Sequence, residues 1–143
     1  MKIDEITSIL DKTYNFGGQS KALLNVLAFS AQKLEFSTGD LIIKSDDKTA
    51  KCLVMLKGRA FIQKKETSIE ITVGDVIGNL ALINDKAIRH AVIGGSTKGQ
   101  ALIIDRPLFN QLVRDFPDFI ITLKGTITAE LQKKINNLSE IDF

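Results

Sequence analysis

The stretch that decides how this chain reads is Gly74-Asp75-Val76-Ile77-Gly78-Asn79-Leu80-Ala81-Leu82, followed six residues later by Arg89-His90-Ala91-Val92. Gly74 and Gly78 bracket the apolar pair Val76-Ile77, a strand fragment between two turns. Gly78 permits close backbone approach. Asn79-Leu80-Ala81-Leu82 can make one helical turn whose first N–H groups lack intrahelical partners, which makes an anion site. Arg89 stands in an apolar context, with Ala87-Ile88 before it and Ala91-Val92-Ile93 beyond His90. An arginine drawn into a β interior needs an anionic partner, and phosphate suits its forked donors. The plainer reading is an edge-strand arginine facing water, and the pattern alone leaves both open.

Outward from this stretch, from Gln32 to about Asp105, apolar runs of three to six residues alternate with turns. The turns contain Gly39, Asp46-Asp47, Gly58, Gly74, Gly78, Gly94-Gly95 and Gly99. Leu34 and Phe36 alternate with Lys33 and Glu35, and Ile69, Ile71 and Val73 alternate with Glu70 and Thr72. Leu41-Ile42-Ile43, Leu53-Val54-Met55-Leu56 and Ala101-Leu102-Ile103-Ile104 read as buried strands. Six to eight short strands with regular turns, uninterrupted by a longer helix, predict a sandwich or antiparallel barrel.

The ends read as helical. Ile3, Ile6, Ile9 and Leu10 recur at helical spacing before Gly17-Gly18, and Ser20 is placed to cap a second helix carrying Leu23, Leu24, Val26 and Leu27. Arg106 to Asp115 predicts a short helix with Pro107 in its first turn. Pro117 opens a longer one with Ile120, Leu123, Ile127, Leu131, Ile135 and Leu138 on one stripe. The expected fold is α+β and mainly β, a single domain over 1–143. Residues 1–30 are helical, 31–105 form an antiparallel β-roll of jelly-roll type, and 106–139 form the C-terminal helices. No internal repeat is visible.

The composition narrows the function. Hydrophobic residues are 44% and charged residues 25% of the 143, as in an ordinary globular chain, and the net charge is only +2. That is no field for nucleic acid or an anionic membrane. No run approaches the roughly 20 apolar residues of a membrane span, and Met1 to Leu10 has no signal-peptide pattern, so a cytoplasmic protein is expected. A lone cysteine (Cys52) and a lone histidine (His90) exclude a disulfide framework and multi-ligand zinc motifs. No phosphate-loop, nucleophile-elbow or metalloprotease motif occurs, Asp46-Asp47 reads as turn chemistry and Cys52 as a buried inert thiol. The expectation is a protein that is not an enzyme, with no catalytic residue, metal or cofactor.

The opening stretch resembles the phosphate-binding cassette of cyclic nucleotide-binding domains, whose pattern runs Phe-Gly-Glu-Leu-Ala-Leu, a variable tip, then Arg-Ser/Thr/Ala-Ala. Here the cassette spans 77–92. Phe36-Ser37-Thr38-Gly39-Asp40-Leu41-Ile42-Ile43 resembles the opening hairpin of that family, and Leu53-Val54-Met55-Leu56-Lys57-Gly58 its apolar strand ending in a turn glycine. Val73-Gly74-Asp75 is similar to the turn before the cassette, and Leu102-Ile103-Ile104-Asp105 to the strand leaving the roll.

The resemblance implies a regulatory module that senses a cyclic nucleotide, cAMP or cGMP. Arg89 would neutralise the cyclic phosphate, with Gly78, Leu80 and Ala81 in the cradle, His90 and Ala91 beside it, and Asn79 at the ribose. Ala60, Ile62 and Ile77 would line the base pocket, with the C-terminal helix as lid. Asn79 stands where the family has Glu, and loses the charged part of the ribose bond, on the order of 1 kcal/mol. His90 is bulkier than the usual small residue, and either crowds the pocket or adds a donor. Ser45 stands where the first hairpin often has Gly, and Gly94-Gly95 replaces an ordinary strand pair.

The alternative is a degenerate roll that binds no cyclic nucleotide and serves protein interaction or oligomerisation. The partners implied are the nucleotide itself, plus an effector protein or a second copy paired through Leu131, Ile135 and Leu138. That pairing requires the roll to cover only the early part of the last helix. The other arrangement buries the whole stripe against the first two helices. No winged DNA-binding domain is expected beyond Phe143, and so no direct nucleic-acid role.

Overall fold

The computed structural model describes residues 1–46, 51–78 and 90–136. Helix α1 (Ile3–Lys12) has Asp4 and Glu5 in its first turn and Lys12 in its last, each opposite in sign to the helix dipole there. Thr13 closes it: its hydroxyl donates to the Leu10 carbonyl at 2.6 Å and accepts from the Phe16 N–H at 3.1 Å. Phe16 is thereby held in the core at 1% exposure. Helix α2 (Lys21–Ser30) is capped as expected, the Ser20 hydroxyl oxygen accepting from the Leu23 N–H at 3.2 Å.

Eight strands follow: β1 (Gln32–Phe36), β2 (Leu41–Ile43), β3 (Lys51–Lys57), β4 (Ala60–Gln63), β5 (Ser68–Ile71), β6 (Val76–Ile77), β7 (Val92–Gly94) and β8 (Gly99–Asp105). They form two antiparallel sheets, in the orders β1-β8-β3-β6 and β2-β7-β4-β5. This is the α+β, mainly β, roll that the sequence predicts. Helices α3 (Arg106–Asp115) and α4 (Pro117–Asn136) complete the described chain. The Asp105 carboxylate caps α3, accepting from the Leu108 N–H at 3.0 Å, and Pro107 sits where its missing N–H costs nothing.

Strand β3 explains why Cys52 to Leu56 is apolar without a break. Cys52, Val54 and Leu56 point to one face and pack with the helices, and Leu53 and Met55 point to the other and pack inside the roll. Strand β8 divides in the same way, Leu102 and Ile104 against Ala101 and Ile103. The first sheet therefore separates two cores, and both of its faces are covered.

Helix α4 lies in the helical core. Phe119, Leu123 and Ile127 are buried there with Ile6, Leu10, Leu23 and Leu27, and Ile120 is half-buried. The early stripe is thus covered by the first helices and the outer face of the first sheet rather than by the roll interior. Ile121, on the opposite side of α4, is 70% exposed. The side chains of Leu131 and Ile135, and all of Leu138, lie outside the described residues.

Two turns share one design, although no repeat is visible in the sequence. In Ser37-Thr38-Gly39-Asp40 and in Thr72-Val73-Gly74-Asp75 the glycine takes φ of +88° and +92°, which L side chains rarely adopt. In each, the aspartate N–H donates to the first residue's carbonyl (3.1 and 3.0 Å), and the aspartate carboxylate accepts from the first residue's N–H (2.7 and 2.8 Å). The aspartate that ends each turn locks it.

Cys52 has no exposed surface, and burial pushes its thiol from 9.0 up to about 12. The native thiol stays protonated where the unfolded thiol ionises, so the unfolded chain holds fewer protons above about pH 9 and stability falls there. The expected slope approaches roughly 1.4 kcal/mol per pH unit between about pH 9 and 11. Urea unfolding of wild type and Cys52→Ala over that range should show the slope in the first and a flatter profile in the second. Parallel profiles would refute the assignment.

Candidate ligand site

Strands β3 and β4 are joined by a tight connection at Gly58-Arg59, so the start of β3 and the finish of β4 lie at the same end of the roll. The candidate cassette opens onto that end. Ile77 is opposite Leu53, two residues into β3, and Val92 is opposite Ile62, one residue before β4 finishes. Because β6 belongs to one sheet and β7 to the other, the chain between them bridges the two sheets at this end.

Of the phosphate- and ribose-binding residues singled out in the sequence, Gly78, His90 and Ala91 are described. Gly78 leaves β6 with φ +85°. His90 is exposed and Ala91 half-buried. The Ala91 carbonyl accepts from the Gln63 N–H at 2.9 Å, which ties the return of the segment to the end of β4. Sequence reasoning missed Gln63, because a cross-strand backbone bond leaves no mark on residue type. Asn79, Leu80, Ala81 and Arg89 lie outside the described residues.

The proposed base-pocket residues come from both sheets. Ile62 in β4 and Ile77 in β6 are half-buried and pack on the roll core formed by Phe36, Ile43, Leu53, Met55 and Val92. Ala60 is in that core with no exposed surface, paired with Ile71 and Gly94. Among the described residues this core has no helical member, and the buried side of α4 faces the other core. The described part of α4 is therefore not a lid over Ile62 and Ile77.

Gly94 is a packing requirement rather than a weakened strand position. A Cβ there would run into the Ser37 carbonyl and the Phe36 ring. The Gly94 N–H donates to the Asp40 carbonyl and its own carbonyl accepts from the Gly39 N–H, both at 2.8 Å. The first turn is thus sewn onto β7 through a residue that must have no side chain. Among the described residues, no group of three or more His, Cys, Asp and Glu could hold a metal ion, and no helix is long and apolar enough to cross a membrane.

No family profile matches the chain. The cAMP-dependent protein kinase regulatory subunit of Schizosaccharomyces pombe is 25% identical over 115 residues, which is 79% of this chain and 28% of the relative. The chain therefore spans about a quarter of that protein. Among solved structures, the regulatory subunit of a cAMP-independent protein kinase A from Trypanosoma cruzi, bound to guanosine, superposes with a TM-score of 0.69 at 25% identity. That match covers 78% of this chain and 40% of the other. The N-terminal domain of a transcriptional regulator from Streptomyces coelicolor superposes with a TM-score of 0.78 over 94% of this chain and 96% of the other, and at 15% identity it bears on the fold alone. In sequence this chain is related to kinase regulatory subunits, and in fold it is similar to the cyclic nucleotide-binding domains.

Proposed function

We propose that this chain is a regulatory module that senses a cyclic nucleotide, cAMP or cGMP, at the end of the roll where β6 leaves one sheet and β7 enters the other. The observation that carries the reading is this bridge between the sheets, flanked by the half-buried Ile62 and Ile77, one from each. An apolar wall beside a segment that carries an arginine suits a ligand with a flat base at one end and a phosphate at the other. Arg89 neutralises the cyclic phosphate, the N–H groups of Leu80 and Ala81 complete its cradle, and Asn79 accepts from the ribose hydroxyl. His90 and Ala91 close the return of the segment, and Ile62 and Ile77 meet the base over Ala60.

Isothermal titration with cAMP, cGMP and guanosine tests this reading. Saturable one-to-one binding of a cyclic nucleotide is expected. Equal binding of guanosine would show that the phosphate contributes nothing. A folded chain silent to all three would instead be an interaction or oligomerisation module. Asn79→Glu should tighten cyclic nucleotide binding by up to about tenfold, roughly 1 kcal/mol, because a charged acceptor replaces a neutral one. Unchanged or weaker binding would place the limit at His90 or at pocket shape.

A further inference from the structure

One row of side chains crosses the second sheet on the face turned away from the roll core. Leu41 lies opposite Ile93, Ile93 opposite Phe61, and Phe61 opposite Glu70. Their chain neighbours Ile43, Val92, Ala60 and Ile71 point the other way, into that core. An antiparallel sheet with one face in water carries polar residues there, yet this row is apolar on three of four strands. Leu41 is 62% exposed, and Ile93 and Phe61 are half-buried. Gly95 keeps the face low, because a Cβ there would run into the Phe61 ring. The two margins of the sheet carry opposite charges, with Lys44 just after β2 at one edge and Glu70 in β5 at the other. Beside the row, Asp40 accepts from the Ser37 N–H and Arg59 donates to the Gly95 carbonyl. Among the described residues, no hydrogen bond or ion pair engages the side chain of Lys44 or Glu70.

We propose that the outer face of the second sheet pairs with the same face of a second copy of this chain. A two-fold axis along the strands, between β7 and β4, makes the face complementary to itself. It lays β7 of each copy on β4 of the other and β2 on β5, the aligned packing that twisted sheets adopt. Ile93 then meets Phe61 of the other copy, and Phe61 meets Ile93. Lys44 stands three residues along the margin from Leu41, so it approaches Glu70 of the other copy within the combined span of the two side chains. The symmetry makes that ion pair twice. An anionic lipid surface would call for a basic rim and a basic peptide for an acidic one. This rim has one free charge of each sign at opposite margins, which is the arrangement a two-fold partner answers. The net charge of +2 opposes the approach of two copies only weakly.

Sedimentation equilibrium without nucleotide, at protein concentrations from about 1 μM to 1 mM, reads the association directly. A monomer–dimer equilibrium is expected for wild type. Leu41→Asp places a charge in the apolar row and should weaken the dimer at least about tenfold. Lys44→Glu and Glu70→Lys each set like charges against one another twice and should weaken it by a similar factor. The double variant Lys44→Glu/Glu70→Lys restores the opposite signs and should return the affinity to within about threefold of wild type. Lys44 and Glu70 are exposed, so the charge exchange decides the matter even where Leu41→Asp fails to fold. A wild type that stays monomeric, a dimer indifferent to these substitutions, or a double variant no tighter than the single ones would overturn the proposal. Because the nucleotide reading concerns the inner face of the same sheet, titration with cyclic nucleotide and sedimentation succeed or fail independently.

Discussion

Phe119→Ala is expected to lower the unfolding free energy by about 3–5 kcal/mol, a large share of the roughly 5–15 kcal/mol that holds a domain of this size. Phe119 opens α4 at 1% exposure. Its ring stacks on Phe16 with centroids 6.1 Å apart and meets Phe109 edge-on at 6.0 Å. One side chain thereby joins the α1–α2 connection, α3 and α4. Truncation removes the transfer energy of a whole ring and two aromatic contacts, and leaves a cavity that three rigid elements cannot collapse. The midpoint of thermal unfolding should fall by about 10 °C. Urea and thermal unfolding of the two chains measure this, with Phe119→Leu as the milder control. A loss under about 1.5 kcal/mol would mean that α4 is not anchored as described.

The anchoring of α4 also shows where sequence reading stops. The helix starts, Ser20 and Pro117, and the turn glycines, Gly39, Gly58 and Gly74, announce themselves because each is a local backbone requirement met by a particular residue type. Strands β1 and β5 follow from period-two patterning, and β2, β3 and β8 from short apolar runs, all bounded by turn residues. What period two cannot tell is which neighbour each face meets. Cys52, Val54 and Leu56 belong to one core and Leu53 and Met55 to another only because the helices pack outside the first sheet, a relation between residues far apart in the chain. The same holds for Gly94, which looks like a weak strand residue until the Phe36 ring and the Ser37 carbonyl, more than fifty positions earlier, are seen to occupy the space of its side chain. The cassette is legible for the opposite reason. Its residues are contiguous, so the pattern survives in the sequence, whereas the tether from Gln63 to Ala91 has no sequence signature.

Arg89→Ala should weaken binding of the cyclic nucleotide at least thirtyfold, about 2–5 kcal/mol, if Arg89 is the phosphate partner. The cyclic phosphate keeps one negative charge, and Arg89 is the arginine of the candidate cassette. Lys51 at the start of β3 and Lys64 and Lys65 after β4 bring point charges to this end of the roll without a guanidinium fork. Removing the guanidinium leaves a partly desolvated anion without its forked partner, and the penalty falls mainly on the dissociation rate. Arg89→Lys keeps the charge and loses the fork, so an intermediate loss is expected. Arg114→Ala, an exposed arginine on α3, should bind as wild type does. Titration of the four chains at two salt concentrations separates the cases. A graded loss from arginine to lysine to alanine supports a forked contact with the phosphate. Equal affinity of wild type and Arg89→Ala, in a wild type that binds, would place the phosphate elsewhere and leave Arg89 as a strand-edge residue facing water.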